Sequence, residues 1–377
     1  MRPVVAMEVE RLEAMAEGNA VTPTGPPRQS PISLARPARQ RPRQSTLMQD
    51  GAQVEVAPEA PPPRPYTVLA YKTMATMAER LVAAEPQRFR YFETSWGRFE
   101  DSGMDDIVVG GFAPTNLVRH THVLMMCDFH SNDAILSQLH VLIMLCESFI
   151  ASLTIFLPYL PVATKERVTV EGQVATANTV SRMLSSLPHH GPPARCMFFD
   201  LHTLQQRFYL HSGAAASMHS CIPLLQKYVL GDGKCGIDAL AFPDEGAQKR
   251  FGHQLADEGL DFIVCGKQRV GNDRKVTITD GDARGKRVLI IDDMVKTGGT
   301  LAEAAKALKA SGATRVSAFV SHAAFPGDSY RRFCKGGDRA VFDRIYVTNS
   351  NPLVAERLAA VDPFVVLDIL PQLLVDL

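Results

Sequence analysis

The chain has 377 residues, enough for one or two domains with a full hydrophobic core. Basic and acidic side chains number 40 each, so the formal net charge is zero, and neither nucleic acid nor a membrane surface is expected as a partner. The seven cysteines include no CxxC pair, which argues against a disulfide framework or a cysteine-rich zinc site and favours a reducing compartment.

Residues 1–65 differ in composition from the rest of the chain. They contain the segments TPTGPPRQSPISLARPARQRPRQS and APEAPPPRP, which are rich in proline, arginine and serine. Such a segment cannot bury enough apolar surface to offset its loss of entropy on ordering, so we predict a disordered tail. Residues 20–49 lack acidic side chains, as organelle transit peptides do, but glutamates near the first residue do not fit that pattern. We predict a cytoplasmic protein and leave organelle targeting by this tail open.

One apolar segment, HVLIMLCESFIASLTIFLPYLP at residues 140–161, is long enough to raise the question of a membrane span. It contains Glu147 and Pro158, and the proline would break a spanning helix. We therefore predict a helix near 133–149 followed by a short strand near 152–157.

From Tyr66 onward, short apolar runs alternate with helical patterns. This alternation predicts parallel sheets flanked by helices. The strand candidates are 122–127, 152–157, 195–199, 237–242, 261–265, 287–291, 315–320 and 344–348. The helix candidates are 72–84, 133–149, 173–187, 244–258, 300–311 and 352–360. The number of strands and the small-residue stretch HSGAAAS predict two α/β domains, residues 66–215 and residues 216–377.

The stretch VLIIDDMVKTGGT, residues 288–300, combines acids with a glycine-rich turn. The run RVLII is typical of a strand that is buried on both faces. The following TLAEAAKALKASG predicts a helix, with Leu301, Ala305 and Leu308 on its buried face. Asp292, Asp293 and the turn are therefore expected between a strand end and a helix start, which is where open α/β sheets bind ligands.

The turn and the two acids suit different parts of one ligand. Glycines let successive N–H groups converge, and the helix N-terminus adds its positive end, so the turn suits an anion. The two carboxylates repel phosphate and must face hydroxyls or a metal. Ribose 5-phosphate, with a phosphate at one end and a diol at the other, satisfies both. The alternative is an ordinary helix N-cap with surface acids.

This stretch resembles the phosphoribosyl-diphosphate binding motif of phosphoribosyltransferases and of phosphoribosyl-diphosphate synthases, and the motif alone does not identify the reaction. The segments FFDLHTLQQRFYL, FPDEGAQKRF and VCGKQRVGNDRKV are similar to signature segments of ribose-phosphate diphosphokinase. The resemblance runs from about residue 66 to residue 377 and is greatest to the plant-type, class II branch. It implies two phosphoribosyltransferase-like domains, each a mainly parallel sheet flanked by helices.

The resemblance also implies the reaction and the residues that carry it. The diphosphoryl group of ATP would pass to C1 of ribose 5-phosphate, with Mg2+ as cofactor, in a homo-oligomer that is dimer-based, trimeric or hexameric. The catalytic cations would be Lys267, Arg269 and Arg167. The ribose 5-phosphate ligands would be Asp292, Asp293, Lys296, Thr297, Gly298, Gly299 and Thr300. ATP would contact Phe99, Asp101, Arg167 and His202, with Phe99 reaching in from a neighbouring subunit, and the metal would be held by His202 and Asp244.

Two positions depart from the better-known branch of the family. Thr164 stands where that branch has an arginine, so the ATP-side role is carried over to Arg167, and Lys296 stands where it has an aspartate. Two other readings stay open. One is a phosphoribosyltransferase, and the other is a catalytically weak, synthase-like scaffold or regulatory subunit.

Overall fold

The structure is a computed structural model that describes residues 66–231, 236–270 and 273–377. The side chains of residues 267–270 and 273–275 lie outside the described part. The disordered tail predicted for residues 1–65 lies outside it as well. The described residues belong to one compact unit.

The first sheet has six parallel strands in the order β2-β1-β5-β6-β7-β8. The strands are β1 (Tyr66–Ala70), β2 (Phe89–Tyr91), β5 (His122–Met126), β6 (Ser152–Phe156), β7 (Ala194–Phe199) and β8 (Ala214–His219). A separate antiparallel hairpin, β3 (Thr94–Arg98) and β4 (Asp105–Val109), precedes β5 in the chain.

The second sheet has seven strands in the order β11-β10-β9-β12-β13-β14-β15. They are β9 (Ala239–Phe242), β10 (Asp261–Val270), β11 (Asp273–Asp280), β12 (Arg287–Val295), β13 (Arg315–Ala323), β14 (Ile345–Thr348) and β15 (Phe364–Leu367). All neighbours pair parallel except β10 and β11, which form an antiparallel hairpin at the sheet edge.

The α-helices in the described part of the chain are α1 (Ala75–Ala84), α2 (Asn132–Cys146), α3 (Thr176–Ser185), α4 (Ile222–Leu225), α5 (Glu245–Phe251), α6 (Gly299–Ala310), α7 (Pro352–Leu358) and α8 (Leu370–Asp376). Most of them connect parallel strands, α4 comes between the two sheets in the chain, and α8 follows the last strand. The predicted buried face of α6 is confirmed, since Leu301, Ala305 and Leu308 are all buried. Segment 140–161 is divided between α2 and β6, as predicted, and no helix in the described part of the chain is long and apolar enough to span a membrane.

One apolar cluster is built from both sheets. It contains Phe199 from β7, Leu240 from β9 and Phe319 from β13, all of which are fully buried. Each such side chain stabilises the fold by about 1.5–3 kcal/mol relative to exposure. The sheets therefore share part of their core, and the predicted architecture of parallel sheets flanked by helices is confirmed.

Two details of the predicted organisation are corrected by strand pairing. The boundary placed between residues 215 and 216 falls inside β8, which pairs along its whole length with β7, so by sheet membership the change comes after His219. Strand β12 continues to Val295, so Asp292 and Asp293 lie within the last part of the strand rather than after it. The boundary was placed at the small-residue stretch HSGAAAS, residues 211–217, which lacks the large β-branched side chains typical of strands. The division into two domains stays a prediction.

Candidate active site

A cavity of about 530 Å3 opens where β12 ends and α6 begins. Both parts of the molecule line it. Residues 292–301 and Asp244, Gly246, Ala247, Arg250 and Phe251 come from the second-sheet side, and Thr164, Arg167 and His202 come from the first-sheet side. Every residue of the predicted phosphate turn, 296–300, is part of this lining.

The turn between β12 and α6 depends on Gly298. This residue has φ 74° and ψ 21°, a left-handed conformation that glycine adopts without strain, and it immediately precedes the helix. A Cβ at this position would overlap the ring of Phe333. Gly298 carries no capping side chain, so the first N–H groups of the 12-residue helix face the cavity side without a side-chain partner. Arg339 donates to the carbonyl oxygen of Thr297 and holds the turn from outside.

Asp293 is the centre of a charged cluster on the cavity floor. Its Oδ2 lies 2.8 Å from Nδ1 of His202 and 3.6 Å from Nη1 of Arg250. The same arginine donates to the backbone carbonyl oxygen of His202 over 3.2 Å and lies 4.0 Å from Asp200. Because β7 leads to His202 and α5 carries Arg250, this cluster ties both sheets to the acidic end of β12.

The two neighbouring aspartates differ in their electrostatic surroundings. Burial raises the pKa of Asp292 well above its usual value, and the adjacent charge of Asp293 raises it further. Burial also acts to raise the pKa of Asp293, but the hydrogen bond from His202 and the charge of Arg250 outweigh it, so this pKa is lowered. Asp293 is therefore the ionised member of the pair. A protonated Asp292 can donate a hydrogen bond as well as accept one.

The pKa of His202 is raised, whereas that of its partner Asp293 is lowered. The hydrogen bond to Asp293 is the largest influence, and it raises the pKa of His202 against the lowering effect of burial. The imidazolium and the Asp293 carboxylate thus stabilise each other.

The comparisons with known proteins agree with this arrangement. The family described as phosphoribosyl transferase domain matches residues 257–348, which include the β12–α6 turn and Asp293. Ribose-phosphate pyrophosphokinase 3, chloroplastic, of Arabidopsis thaliana is 37% identical over 297 residues, which cover 78% of this chain and 71% of that protein. Ribose-phosphate pyrophosphokinase 4 of Oryza sativa subsp. japonica is also 37% identical, over 76% of this chain and 88% of that protein. The chain belongs to the ribose-phosphate pyrophosphokinase family.

A bacterial ribose-phosphate pyrophosphokinase, from Wolinella succinogenes, is 30% identical over 60% of this chain and 70% of its own length. The plant relatives match more closely and over more of the chain, which confirms the predicted resemblance to the plant-type branch. The crystal structure of phosphoribosylpyrophosphate synthetase from Mycobacterium smegmatis superimposes with a TM-score of 0.67. It covers 82% of this chain and 96% of that chain at 21% identity, which shows the shared fold.

Not all of the predicted pyrophosphokinase residues meet at the cavity. Phe99 and Asp101 lie in the turn of the β3–β4 hairpin, outside the lining, and Phe99 is 51% exposed. Lys267 and Arg269 were expected at the end of a strand, but β10 continues through both of them to Val270 and pairs with β11. Their side chains lie outside the described part.

The predicted magnesium ligands fit an ion that takes most of its ligands from substrate and water. His202 uses Nδ1 for Asp293, and its Nε2 makes no hydrogen bond within the described residues. In the neutral form, with the proton on Nδ1, this is the arrangement of metal-binding histidines, so a metal would displace the Nε2 proton of the imidazolium. Asp244 accepts the N–H of Ala247 at 2.9 Å with Oδ1, which caps α5 and leaves Oδ2 for a cation. Across 66–231, 236–270 and 273–377 no three His, Cys, Asp or Glu side chains form a cage for a metal. Mg2+ commonly binds through one or two side chains plus phosphates, so two ligands are enough.

The part played by Arg250 was not predicted from the sequence. The segment FPDEGAQKRF shows Lys249 and Arg250 as neighbouring charges on a helix, and neither was distinguished from a surface residue. In the structure the Lys249 side chain is exposed and pairs with Glu245, whereas that of Arg250 is 14% exposed and contacts Asp293. The signal available was the helical phase. Because Arg250 follows the buried Ala247 by three positions, it lies on the same face of α5.

Proposed function

We propose that the cavity binds ribose 5-phosphate and ATP together and transfers the diphosphoryl group of ATP to the C1 hydroxyl of the sugar. The products are 5-phosphoribosyl 1-diphosphate and AMP. The observation that carries this proposal is the shared lining of the cavity. The β12–α6 turn and its two aspartates form one wall, while Thr164, Arg167 and His202 form the opposite wall. A phosphoribosyltransferase needs only the first wall, so nothing in the cavity favours that reading.

The β12–α6 turn holds the sugar phosphate in this proposal. The 5-phosphate takes the N–H groups of residues 297–300 at the positive end of α6. Asp292 and Asp293 bind the ribose hydroxyls, whose O–H groups donate to the carboxylate oxygens.

The reaction itself asks mainly for positioning and positive charge. The C1 oxygen forms a bond to the β-phosphorus, the bond from that phosphorus to the α–β bridging oxygen breaks, and AMP leaves with the electron pair. Lys267, Arg269 and Arg167 are the cations proposed to stabilise the charge on the phosphate oxygens. Loss of one such group would cost about 3–4 kcal/mol of transition-state stabilisation, as loss of one oxyanion-hole donor does.

His202 and Asp244 are proposed to hold Mg2+, which when bound screens the phosphate charges. His202 keeps its Nε2 directed away from Asp293 through the Nδ1 hydrogen bond, and Asp244 keeps its carboxylate fixed as the cap of α5. Phe99 and Asp101 are proposed to contact ATP in a neighbouring subunit of a homo-oligomer. The cytoplasmic location stays a prediction, since relatives are named as chloroplastic in Arabidopsis thaliana and mitochondrial in Spinacia oleracea.

AMP release tests this proposal. Purified protein is incubated with ATP, Mg2+ and ribose 5-phosphate, and AMP is expected only when all three are present. The variant Asp292→Asn/Asp293→Asn should lose this release, while Asp282→Asn, an exposed acid that pairs with Arg284 away from the cavity, should keep it. Folded wild-type protein that releases no AMP would remove the enzyme proposal and leave the scaffold reading.

A further inference from the structure

Among the described residues, three lysine or arginine side chains line the cavity, and two of them are already engaged with carboxylates. Arg250 is held by Asp293 and by the backbone carbonyl oxygen of His202. The Arg167 side chain is 80% exposed, and its Nε lies 3.2 Å from Oε1 of Glu166. Neither guanidinium is therefore positioned at the centre of the cavity with its charge uncompensated.

Lys296 is the third cation, and it differs from the other two. Its Nζ donates to Oγ1 of Thr164 and forms no ion pair with any carboxylate in the described part of the chain. Partial burial and the nearby charge of Lys165 lower the pKa of Lys296. The charges of Glu166 and Asp293 act in the opposite direction but do not outweigh these effects. An ammonium group that is partly removed from water gains stability when an anion arrives.

The position of the Lys296 ammonium group indicates which phosphate group it would bind, the 5-phosphate of the sugar or the polyphosphate of ATP. The backbone of Lys296 is at the start of the phosphate turn, but its Nζ extends to the wall that contains Thr164 and Arg167. The 5-phosphate is proposed to sit at the N–H groups of residues 297–300, at the positive end of α6. The Lys296 ammonium group instead lies between the two walls. In the proposed function, this is where the polyphosphate of ATP would approach the sugar.

We propose that Lys296 is a catalytic residue whose ammonium group binds the transferred diphosphoryl group rather than the 5-phosphate. This inference rests on the proposed function. When ATP binds, Nζ exchanges the Thr164 hydroxyl for non-bridging oxygens of the β- and γ-phosphates. As the C1 oxygen bonds to the β-phosphorus, the electron pair of the breaking bond passes to the α-phosphate of AMP, and the C1 hydroxyl proton goes to water. Nζ stays with the diphosphoryl oxygens throughout.

The variant Lys296→Gln keeps a donor for Thr164 but removes the charge. We expect kcat to fall on the order of a hundredfold, as for loss of one transition-state donor. The KM for ribose 5-phosphate should stay within about twofold of wild type, because the proposed contact is with the phosphates of ATP and not with the sugar phosphate. Lys296→Arg, which keeps the charge, should retain most of the activity. Lys249→Gln is the matched control, since Lys249 is exposed on α5 and pairs with Glu245, so its kinetics should be unchanged.

Binding measurements separate this inference from the proposed function. Affinity for α,β-methylene-ATP and for ribose 5-phosphate is measured by calorimetry, with thermal melting as a check of folding. Lys296→Gln should lower the affinity for the nucleotide analogue and leave the affinity for ribose 5-phosphate unchanged, even if the wild type released no AMP. A raised KM for ribose 5-phosphate with unchanged kcat would instead assign Lys296 to the 5-phosphate. Equal loss in Lys296→Gln and Lys296→Arg would show that the charge is not what matters, and normal kinetics in both would also overturn the proposal.

Discussion

Asp293 and His202 form a coupled pair whose protonation can be measured directly. The hydrogen bond to Asp293 raises the pKa of His202, so the imidazolium is favoured in the folded state. By linkage, the stability contributed by His202 is fully present below the unfolded pKa of about 6.5 and is lost as pH rises through the raised folded value. Asp293 has a lowered pKa, so its contribution is present above its unfolded pKa and is lost as pH falls through the folded value.

We therefore predict that Asp293→Asn lowers the pKa of His202. The measurement is an NMR titration of the His202 ring in metal-free and nucleotide-free protein. Asp244→Asn is the control, because Asp244 is not among the groups that shift His202, and it should leave this titration in place. A His202 pKa that stays raised in Asp293→Asn would show that another group holds the proton.

Position 298 is expected to require glycine, and this requirement can be measured. Its φ of 74° disfavours any side chain, and a Cβ would also overlap Phe333. We predict that Gly298→Ala lowers the free energy of unfolding by more than the roughly 1 kcal/mol that the backbone conformation alone costs. It should also raise the KM for ribose 5-phosphate, because the turn must shift away from Phe333.

Gly285→Ala separates the two causes. Gly285 has nearly the same φ, 73°, but a Cβ there would meet nothing within 4 Å. Its variant should show only the backbone cost in urea unfolding and normal kinetics. If the two alanine variants lose equal stability, overlap with Phe333 is not a significant part of the requirement.

At the scale of elements, strand β13 connects the two sheets through a buried polar network. Oγ of Ser321 donates to Oδ2 of the buried Asp200 at 2.5 Å, and Oδ2 also accepts the N–H of Cys221 at 2.9 Å. The neighbouring His322 contacts the carbonyl oxygen of Phe199 over 2.8 Å. Asp200 has φ 38°, a left-handed conformation, and it comes two residues before His202. The network therefore fixes the point at which the chain leaves β7 for the cavity.

We predict that Ser321→Ala destabilises the protein by about 1–3 kcal/mol, because a buried carboxylate loses a donor. The measurement is urea unfolding at fixed protein concentration. Ser317→Ala is the control on the same strand, since Ser317 is buried but its hydroxyl makes no hydrogen bond to the described residues. It should change stability by no more than about 0.5 kcal/mol. Equal losses in both variants would assign the effect to packing rather than to Asp200.

Elements with strong apolar patterns were predictable from sequence, and those without them were not. The central strands β5, β6, β12 and β13 each contain a mainly apolar, buried run, and each was placed within a few residues. The hairpin β3–β4 was missed because TSWGR and DDIVV pair with each other outside both sheets, and their burial pattern is weak. Edge pairing of this kind depends on the partner strand rather than on local pattern.

At the scale of the whole molecule, the cavity wall formed by the β12–α6 turn was more predictable from sequence than the opposite wall. The stretch 288–300 contains the two acids and the turn in one contiguous motif, so this wall could be predicted from local sequence alone. The opposite wall is assembled from Thr164, Arg167 and His202, which come from separate loops, and Arg250 enters from a helix. Contacts between distant segments, such as Lys296 with Thr164, follow from tertiary packing and have no signature in the sequence.

The resemblance predicts that the β3–β4 hairpin of one subunit serves the site of its neighbour, which makes the whole assembly testable. A single chain leaves Phe99 exposed and outside its own cavity lining. Phe99→Ala would then inactivate the site of the neighbouring subunit, whereas Lys267→Ala would inactivate the site of its own chain. We predict that each variant alone has little activity and that co-expression of the two restores a substantial part.

The expected recovery follows from counting sites. In a mixed dimer, the site on the Phe99→Ala chain has its own Lys267 and receives an intact hairpin from the Lys267→Ala chain. For two-fold symmetric dimers formed at random from equal amounts, about a quarter of the sites are intact. Co-expression of Lys267→Ala with Arg269→Ala is the control, and it should give no recovery, because both defects lie in the site of their own chain. If the Phe99→Ala and Lys267→Ala mixture gives no more activity than its two components, the hairpin acts within its own subunit or has no role in ATP binding. AMP release by Phe99→Ala alone distinguishes these outcomes, because that variant is impaired only in the first case.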